Sequence, residues 1–507
     1  MGAILKFRGS AVRRKLSSFF GSAWSQGWTN ESEVQAERLL REELRRLRAK
    51  IRRNAGAGAD AKAADRHARD FSRRVLKRIR KKPRHTLGKD VLLARYRPSP
   101  ILDRLIPGRE ASWTSILRRP VSKKSSALDL KDFSFLTHAE QTLRSLKTIG
   151  QLEGRALEAY LNFDDPYCLD SGAYLVLAEI WPTIAPIFMG GRMHKPIQKV
   201  LDATGVGRHN KMSLKAVDRK SIDQGAITHS DVWAFPLQRR RPSGSSQSAS
   251  VHLDPQAREK AADRFCVAVN EWIGIPEIDR ELTQEGKGWI AGIIGELLCN
   301  AERHSQAGSE DGDWATTGFM VKREEAGEPV LRCYLSFLSV GRSFAESMAG
   351  AASEIREAMD NYISTHAGCG LSRETLATVY ALQDTITCDP NARAARSGGT
   401  GLQDVFDFVH TLGGIGIEGR EPVIAVISGR ACISLRPPYI PGKRKEGATS
   451  PRLLWCNASN SALDPPDPLM VSDLTEHFAG TLVSVAFTLD PHYLAANAES
   501  ENDHEHN

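Results

Sequence analysis

Two stretches of the sequence combine residue types that could bind a charged ligand. In GELLCNAERHS, residues 295–305, Glu296, Asn300 and His304 are spaced four residues apart, so on a helix their side chains lie along one edge. In RSGGTGLQDVFDFVHTLGG, residues 396–414, a glycine-rich turn leads into an apolar helix. The N–H groups and the positive dipole at such a helix start favour an anion, in particular a phosphate. A solvated helix edge and an ordinary glycine turn would each give the same pattern, so the interpretation depends on the rest of the chain.

The elements around these stretches predict a mixed α+β domain. Both stretches belong to amphipathic helices with apolar residues at helical spacing. A further helix is expected to start with Asp254 as its N-cap and Pro255 in its first turn. Strands are expected at 331–338, 422–428, 431–437, 452–457 and 478–489. The apolar helix positions are Trp289, Ile290, Ile293, Ile294, Leu297, Leu298 and Ala301 in the first helix and Leu402, Val405, Phe406, Val409 and Leu412 in the second.

In this order the elements resemble the GHKL ATPase superfamily, which includes gyrase B, the mismatch-repair protein MutL, heat-shock chaperones and histidine kinases. The resemblance covers roughly residues 230–490, and it is closest to compact ATP-binding domains like those of anti-sigma-factor kinases. It implies a Bergerat-type α/β sandwich, in which helices cover a mixed, largely antiparallel sheet. It also implies that the ligands are ATP and Mg²⁺.

The resemblance gives individual residues a role. The E-x-x-x-N box of the family is matched by Glu296, which would polarise the attacking water, and by Asn300, whose amide oxygen would hold Mg²⁺. Arg396, in the segment before the glycine-rich turn, could meet the γ-phosphate, and Thr481 would lie near the adenine. The G-T-G-L box that contacts the phosphates is matched by Gly399, Thr400, Gly401 and Leu402, preceded by Gly398.

One motif departs from the family pattern. The D-x-G-x-G motif aligns with S-V-G-R-S at residues 339–343, where Gly341 is kept but Ser339 stands in place of the aspartate that recognises the adenine amino group. The phosphate side of the site therefore matches the family better than the base-recognition side.

A second, weaker resemblance lies upstream. Asp170, Ser171 and Gly172 follow an extended run and open an apolar helix, as in the strand-to-helix turn of STAS domains. In that family a serine at this turn can be phosphorylated by a partner kinase. Plain helix capping by Asp or Ser would give the same tripeptide. We expect a small α/β, STAS-like domain at 130–220, followed by the ATP-binding domain at 230–495.

The front of the chain is strongly basic. The first hundred residues contain 27 Lys and Arg against 9 Asp and Glu, an excess of +18, so the other 407 residues carry a net −10 because the whole chain carries +8. Residues 1–125 are expected to be a basic arm that is helical or partly disordered, and residues 496–507 a disordered tail. Clustered Lys and Arg in residues 1–100 could bind nucleic acid, an anionic membrane or an acidic partner, although a solvated arm is equally compatible with this composition.

The chain shows no pattern typical of secretion or membrane insertion. Its eight cysteines are scattered without a CxxC pair, which favours reduced thiols and a cytoplasmic location. The apolar run 172–191 is interrupted by Glu179, Pro182 and Pro186, so a buried strand–helix unit is expected rather than a transmembrane segment.

Three function classes remain open at this point. The favoured one is a regulatory protein that binds Mg·ATP and hydrolyses it or transfers its γ-phosphate to switch a protein partner. A second is a GHKL ATPase that forms a homodimer on ATP and clamps nucleic acid, in genome maintenance or in defence against phage. A third is a pseudo-ATPase scaffold, which the missing aspartate at Ser339 favours. Fold alone does not distinguish among them.

Overall fold

The computed structural model describes part of the chain. Most of the basic arm expected at 1–125 lies outside this part, as does nearly all of the C-terminal tail. The described residues are 70, 84–86, 91–94, 97–110, 116–118, 126–152, 159–185, 188–207, 215–217, 232–240, 254, 256–305, 312–325, 327–384, 386–388, 401–413, 418–437, 439, 443–444 and 452–496.

The chain forms two compact units, one built from Met1–Leu128, Lys147–Leu161 and Thr183–Gly190, the other from Asp129–Leu146, Asn162–Pro182 and Gly191–Asn507. In the first unit, a three-stranded antiparallel sheet has the order β1-β2-β3. Helix α1 starts where the Ser99 hydroxyl accepts the Leu102 N–H. These elements are β1 (Arg84–Thr86), β2 (Val91–Ala94), α1 (Pro100–Leu105) and β3 (Ile116–Arg118).

Strands and helices alternate through residues 126–217. Four strands form a sheet with the order β4-β5-β6-β7, in which β6 and β7 are parallel. The apolar run at 172–191 forms nearly all of a helix and the start of a strand, and Pro182 lies inside the helix. The elements are β4 (Ser126–Leu130), α2 (Ala139–Leu152), β5 (Ala159–Phe163), α3 (Ser171–Ile184), β6 (Phe188–His194), α4 (Lys195–Ala203) and β7 (Lys215–Val217).

The second unit is organised around a five-stranded sheet with the order β11-β14-β10-β9-β8. Each neighbouring pair is antiparallel. The expected mixed α+β class with an antiparallel sheet is therefore confirmed. The strands are β8 (Val232–Arg239), β9 (Asp313–Glu325), β10 (Glu328–Val340), β11 (Val423–Leu435) and β14 (Val471–Leu489), with a small antiparallel pair β12 (Lys443–Arg444) and β13 (Arg452–Leu453).

Helices cover one face of this sheet, and their apolar stripes form the core with side chains from alternate strand positions. On β10, for example, Leu331, Cys333 and Leu335 belong to this core. The helix expected to start after Asp254 starts later than predicted, with Gln256 as its N-cap, because the Asp254 carboxylate accepts the Gln256 N–H within a turn. The helices are α5 (Ala257–Ile273), α6 (Gln284–His304), α7 (Phe344–Met348), α8 (Ser353–Thr365), α9 (Arg373–Ala381) and α10 (Gly401–Gly413).

The opposite face of the sheet is covered by the turn that opens α3. The Ser171 hydroxyl is 2.6 Å from that of Ser336, which is 3.0 Å from that of Ser484. Gly172 is required there, because a Cβ at this position would lie 2.0 Å from the Ser484 Oγ. Ser171 is only 5% exposed. The serine singled out from the sequence is thus enclosed between α3 and the sheet.

Asp170 completes this buried polar contact. Its carboxylate accepts the N–H groups of Phe135 at 2.8 Å and of Gly172 at 2.7 Å. Burial raises the pKa of the Asp170 carboxyl, although these N–H donors stabilise its charged form. The capping function expected for the tripeptide is therefore combined with a contact that joins α3 to the sheet.

Two general sequence expectations can be compared with the structure. The eight cysteines are free thiols. Within the described residues, no helix combines the length and the apolar content that a membrane crossing requires.

Buried Arg452 links helix α10 to Asp384, which precedes α10 in the sequence. The Arg452 guanidinium contacts Asp404 at 2.6 Å and also pairs with Asp407, both on α10. Its backbone N–H donates to the Asp384 carboxylate at 3.1 Å. Arg452 and Asp384 are both buried, whereas Asp404 and Asp407 are half-buried. The cluster fixes the first turns of α10 against β13.

We expect Arg452→Met to destabilise the protein by about 3–5 kcal/mol, because it removes the buried guanidinium that pairs with Asp404 and Asp407 and lies 3.9 Å from the buried Asp384 carboxylate. The free energy of unfolding from chemical denaturation measures this. Arg420→Met is a matched control, since Arg420 pairs with the exposed carboxylate of Glu328 and such pairs contribute about 0–1 kcal/mol. Equal effects of the two substitutions would contradict a stabilising role for the Arg452 cluster.

Candidate functional site

A cavity of about 140 Å³ opens on the helix-covered side of the five-stranded sheet. It is bounded by the C-terminal half of α6, the C-terminal end of β10, the middle of β14, helix α7, residues 386–388 and the first turn of α10. Most of its surface is apolar. Its polar groups come from Asn300, His304, Ser305, Ser339, Arg342, Ser347, Thr387, Cys388 and Thr481.

Helix α6 supplies one wall. Its N-terminus is capped by the Thr283 hydroxyl, which accepts the Gly286 N–H at 3.0 Å. Apolar residues on one side, among them Ile290 and Ile294, are buried in the core. Core packing therefore fixes the rotation of the helix about its axis, and this rotation places its polar edge at the cavity.

Two of the three residues in the polar register reach the cavity. Asn300 and His304 line it, and both are half-buried. Glu296 is half-buried one helical turn before Asn300 but does not line the cavity. Neither Asn300 nor Glu296 makes a hydrogen bond to another described residue, so both polar ends are available to a ligand or to water.

Two glycines allow close backbone approaches beside the cavity, Gly341 to the end of α6 and Gly480 to β10. Gly341 has φ +143°, and a Cβ there would lie 2.1 Å from the Ser305 carbonyl oxygen. Gly480 has φ +109°, and a Cβ there would lie 2.0 Å from the Ser339 carbonyl oxygen. The Arg342 N–H donates to the Ser305 oxygen at 2.8 Å across this junction. Gly341, expected from the sequence to face a nucleotide, thus has a direct packing reason to be glycine.

Thr481 lies opposite Ser339 in the register of β10 and β14, and both residues line the cavity. The Thr481 hydroxyl is 2.8 Å from that of Ser428, which accepts the Phe344 N–H at 2.8 Å. This chain of contacts connects the cavity floor to the start of α7. The structure therefore brings together the two sequence positions that the family resemblance places near the adenine.

Helix α7 is held in place by a polar cluster behind the cavity. The Ser343 hydroxyl caps this helix and donates to Glu374 at 3.3 Å, and His477 contacts the same carboxylate at 3.0 Å. Burial by itself would raise the pKa of Glu374, but the hydrogen bonds from His477 and Ser343 outweigh it and hold the pKa below its ordinary value. The cluster is thus stabilised by a charged Glu374.

The glycine-rich turn is only partly within the described residues. Gly401 is the first residue of α10, and Leu402 is half-buried and lines the cavity. The start of a 13-residue helix therefore borders the cavity, which favours an anion there. Arg396, Gly398, Gly399 and Thr400 lie outside the described residues, so their assignments stay predictions.

The charges around the cavity are of one sign. Among the described residues that line it, Arg342 carries a guanidinium and none is Asp or Glu. The Arg342 guanidinium donates to the Glu346 carbonyl oxygen. Residue Ser339 brings no carboxylate to the position where the related motif has aspartate. The cavity is therefore suited to an anionic ligand and poorly suited to binding a base through a carboxylate.

Sequence patterns missed several residues of the site. Arg342 and Ser347 had no assigned role, although Arg342 lies inside the S-V-G-R-S stretch that was compared with the family motif. Cys388 lay in a region with no periodic pattern. The Ser347 hydroxyl donates to the His304 carbonyl oxygen at 3.1 Å, a contact between α7 and the end of α6 that local sequence does not reveal.

Comparison of the chain with family models, with curated proteins and with solved structures gives no match.

We expect Gly341→Ala to destabilise the protein by more than about 3 kcal/mol, since backbone strain at positive φ is joined by a collision with the Ser305 carbonyl. Thermal and chemical denaturation measure the loss. Gly327→Ala is the matched control, because Gly327 also has positive φ but faces open space, so strain alone should cost about 1–2 kcal/mol. A Gly341→Ala protein as stable as the control would show that the junction is not tightly packed.

Proposed function

We propose that this protein is a regulatory, GHKL-type domain protein that binds Mg·ATP in the cavity and controls a protein partner through the bound state. The observation that carries the proposal is the meeting of three separate sequence motifs at one cavity. Asn300, Leu402 and Thr481 line it from α6, α10 and β14, although roughly 180 residues of sequence separate the first from the last. Unrelated motifs in a domain of this size have no physical reason to converge in this way.

The donor set suits a magnesium ion that is carried by a nucleotide. Mg²⁺ commonly keeps several waters and is held by one or two protein oxygens together with phosphate oxygens. The Asn300 amide, half-buried and without a hydrogen bond to a described residue, offers one such oxygen. The described residues contain no cluster of three or more His, Cys, Asp or Glu that would hold a metal without a nucleotide. Bound Mg²⁺ would neutralise phosphate charge.

Protein groups contribute binding and orientation. Arg342 and the start of α10 favour negative charge in the cavity. Thr481 and Ser339 offer hydroxyl groups at the end of the sheet, where a base would lie by analogy with the family. Glu296, one turn before Asn300, is our proposed base for an attacking water.

The phosphoacceptor, if the γ-phosphate is transferred, is proposed to be on a partner. Ser171 is enclosed between α3 and the sheet, and its hydroxyl contacts Ser336. A kinase active site could not reach it without separating α3 from the sheet. A protein partner, a homodimer, nucleic-acid binding by residues 1–100 and a cytoplasmic location all stay predictions.

A second candidate function is nucleotide binding without turnover. Two observations favour it: Ser339 replaces the acidic residue of the family motif, and Glu296 does not line the cavity. Such a protein would act as a scaffold whose conformation depends on ATP occupancy rather than on hydrolysis.

We expect Asn300→Ala to weaken binding of Mg²⁺ and a non-hydrolysable ATP analogue by about 10- to 100-fold. Losing one interaction with a charged group costs about 1.5–3 kcal/mol. Isothermal titration calorimetry measures the change, and circular dichroism confirms folding. Asn361→Ala, at an exposed position on α8, should bind as the parent does. An Asn300→Ala protein with parental affinity would show that the metal is held elsewhere.

We expect Glu296→Ala to keep Mg·ATP binding while reducing hydrolysis by about 10²- to 10⁴-fold, the usual contribution of a general base. Binding should survive because the carboxylate has the same sign of charge as the triphosphate. Phosphate release, with Glu285→Ala at the exposed start of the same helix as control, measures turnover. Equal turnover in parent and variant would exclude Glu296 as the base. Binding without turnover in the parent would favour the scaffold.

A further inference from the structure

Cys388 and His304 form a thiol–imidazole pair in the wall of the cavity. The Cys388 Sγ is 3.3 Å from the His304 Nδ1, and both side chains are half-buried and line the cavity. This distance is within hydrogen-bonding reach for sulfur. The pair joins the end of α6 to the segment after α9, so 84 residues of sequence separate its members.

The backbone of His304 is held by a contact with α7. His304 is the last residue of α6, and its carbonyl oxygen accepts the Ser347 hydroxyl of α7. A neutral imidazole with an unprotonated Nδ1 can accept the thiol proton in this geometry. A cysteine with a base in hydrogen-bonding reach is the arrangement found at nucleophilic thiols.

The electrostatic surroundings also favour a thiolate. Arg342 lines the same cavity, and a guanidinium near a cysteine favours the thiolate. The end of a helix, where His304 lies, stabilises the imidazolium that would form when the proton is transferred.

Other cysteines of the chain provide a contrast. Burial raises the pKa of Cys168 to about 12, and that of Cys456 to about 12. Cys299, on α6 and half-buried like Cys388, has a pKa raised mainly by burial. Cys369 is exposed and serves as a reference for an ordinary surface thiol. Cys388 therefore differs from thiols of equal or greater exposure, because it is paired with an imidazole in the wall of a cavity.

We propose that Cys388, with His304 as its base, is a modification site that forms mixed disulfides with low-molecular-weight disulfides that enter the cavity. The thiol proton moves to the His304 Nδ1, and the sulfur attacks one sulfur of the incoming disulfide. A new bond forms between Cys388 and that sulfur while the original disulfide bond breaks. The leaving thiolate takes up the proton, so the incoming disulfide is the oxidant and no other reactant is needed.

The resulting adduct would occupy the cavity beside Asn300. It would therefore compete with any ligand bound there, and the redox state of a small thiol would control access to the site. This consequence rests on the proposed function, whereas the reactivity of Cys388 does not.

The test is the rate of modification of each cysteine in the full chain by oxidised glutathione at neutral pH, followed by peptide mass spectrometry. We expect Cys388 to react at least about tenfold faster than Cys369, and Cys299 to react more slowly than either. His304→Gln should lower the Cys388 rate to about that of Cys369, because glutamine fills similar space but is not a base. A Cys388 rate no greater than that of Cys369 in the parent, or one unchanged in His304→Gln, would overturn the proposal.

Two further measurements keep the outcome interpretable. If His304→Gln does not fold, as judged by circular dichroism, the ratio of Cys388 to Cys369 rates in the unsubstituted chain decides the question. A non-hydrolysable ATP analogue with Mg²⁺ should slow modification of Cys388 and leave Cys369 unchanged. Fast, His304-dependent modification without protection by the nucleotide would support the thiol site and count against nucleotide binding in the cavity.

Discussion

Burial of the five-stranded sheet on both faces is the constraint on which the rest of the second unit depends. An antiparallel sheet commonly leaves one face in water, with polar residues at alternate positions. Here the helix-covered face holds residues such as Leu335, and the opposite face holds Tyr334 and Ser336, all of them buried. Polar groups that such a sheet encloses are costly unless they are hydrogen-bonded.

The polar contact at Asp170 and Ser171 meets this requirement on the face away from the cavity. Ser336 and Ser484 lie there, while their neighbours in sequence, Phe337 and Val483, line the cavity. The two strands that form the cavity floor are thus held from behind by hydrogen bonds. Separating α3 from the sheet would break the hydrogen bond between the Ser171 and Ser336 hydroxyls and open the buried Ser336–Ser484 contact to water.

A second aspect of this face supports the same conclusion. The Arg323 guanidinium is buried, donates to the Cys168 carbonyl oxygen at 3.0 Å, and lies 4.3 Å from the centre of the Tyr167 ring. Cation–π contacts and carbonyl acceptors stabilise the buried charge in place of a carboxylate. A movement of β9 would therefore also disturb the contacts that Arg323 makes with the loop before α3.

The chemistry of the cavity follows from what surrounds it rather than from any one residue. Apolar walls reduce the local dielectric constant, so Arg342 and the helix start exert a stronger field than they would in water. The same surroundings favour a phosphate group and a thiolate, which is why we propose both an anionic ligand and a reactive thiol for this cavity. Glycines at 341 and 480 allow the walls to approach closely enough for these effects to operate.

The sequence by itself determined the class of the fold, the apolar stripes of α6 and α10, the strand within β10 and the residues Asn300, Leu402 and Thr481 that converge on the cavity. These depend on local periodicity and on short motifs, which a single chain segment contains. Only the tertiary structure decided that Glu296 lies outside the cavity lining and that Ser171 is enclosed. It also decided that Gly341 packs against Ser305. The pairing of Arg452 with Asp404, and of Cys388 with His304, likewise appeared only in the tertiary structure. Each of these depends on contacts between residues that are far apart in sequence. Their geometry is set by how helices and strands pack, and this information is absent from the spacing of residues within one element.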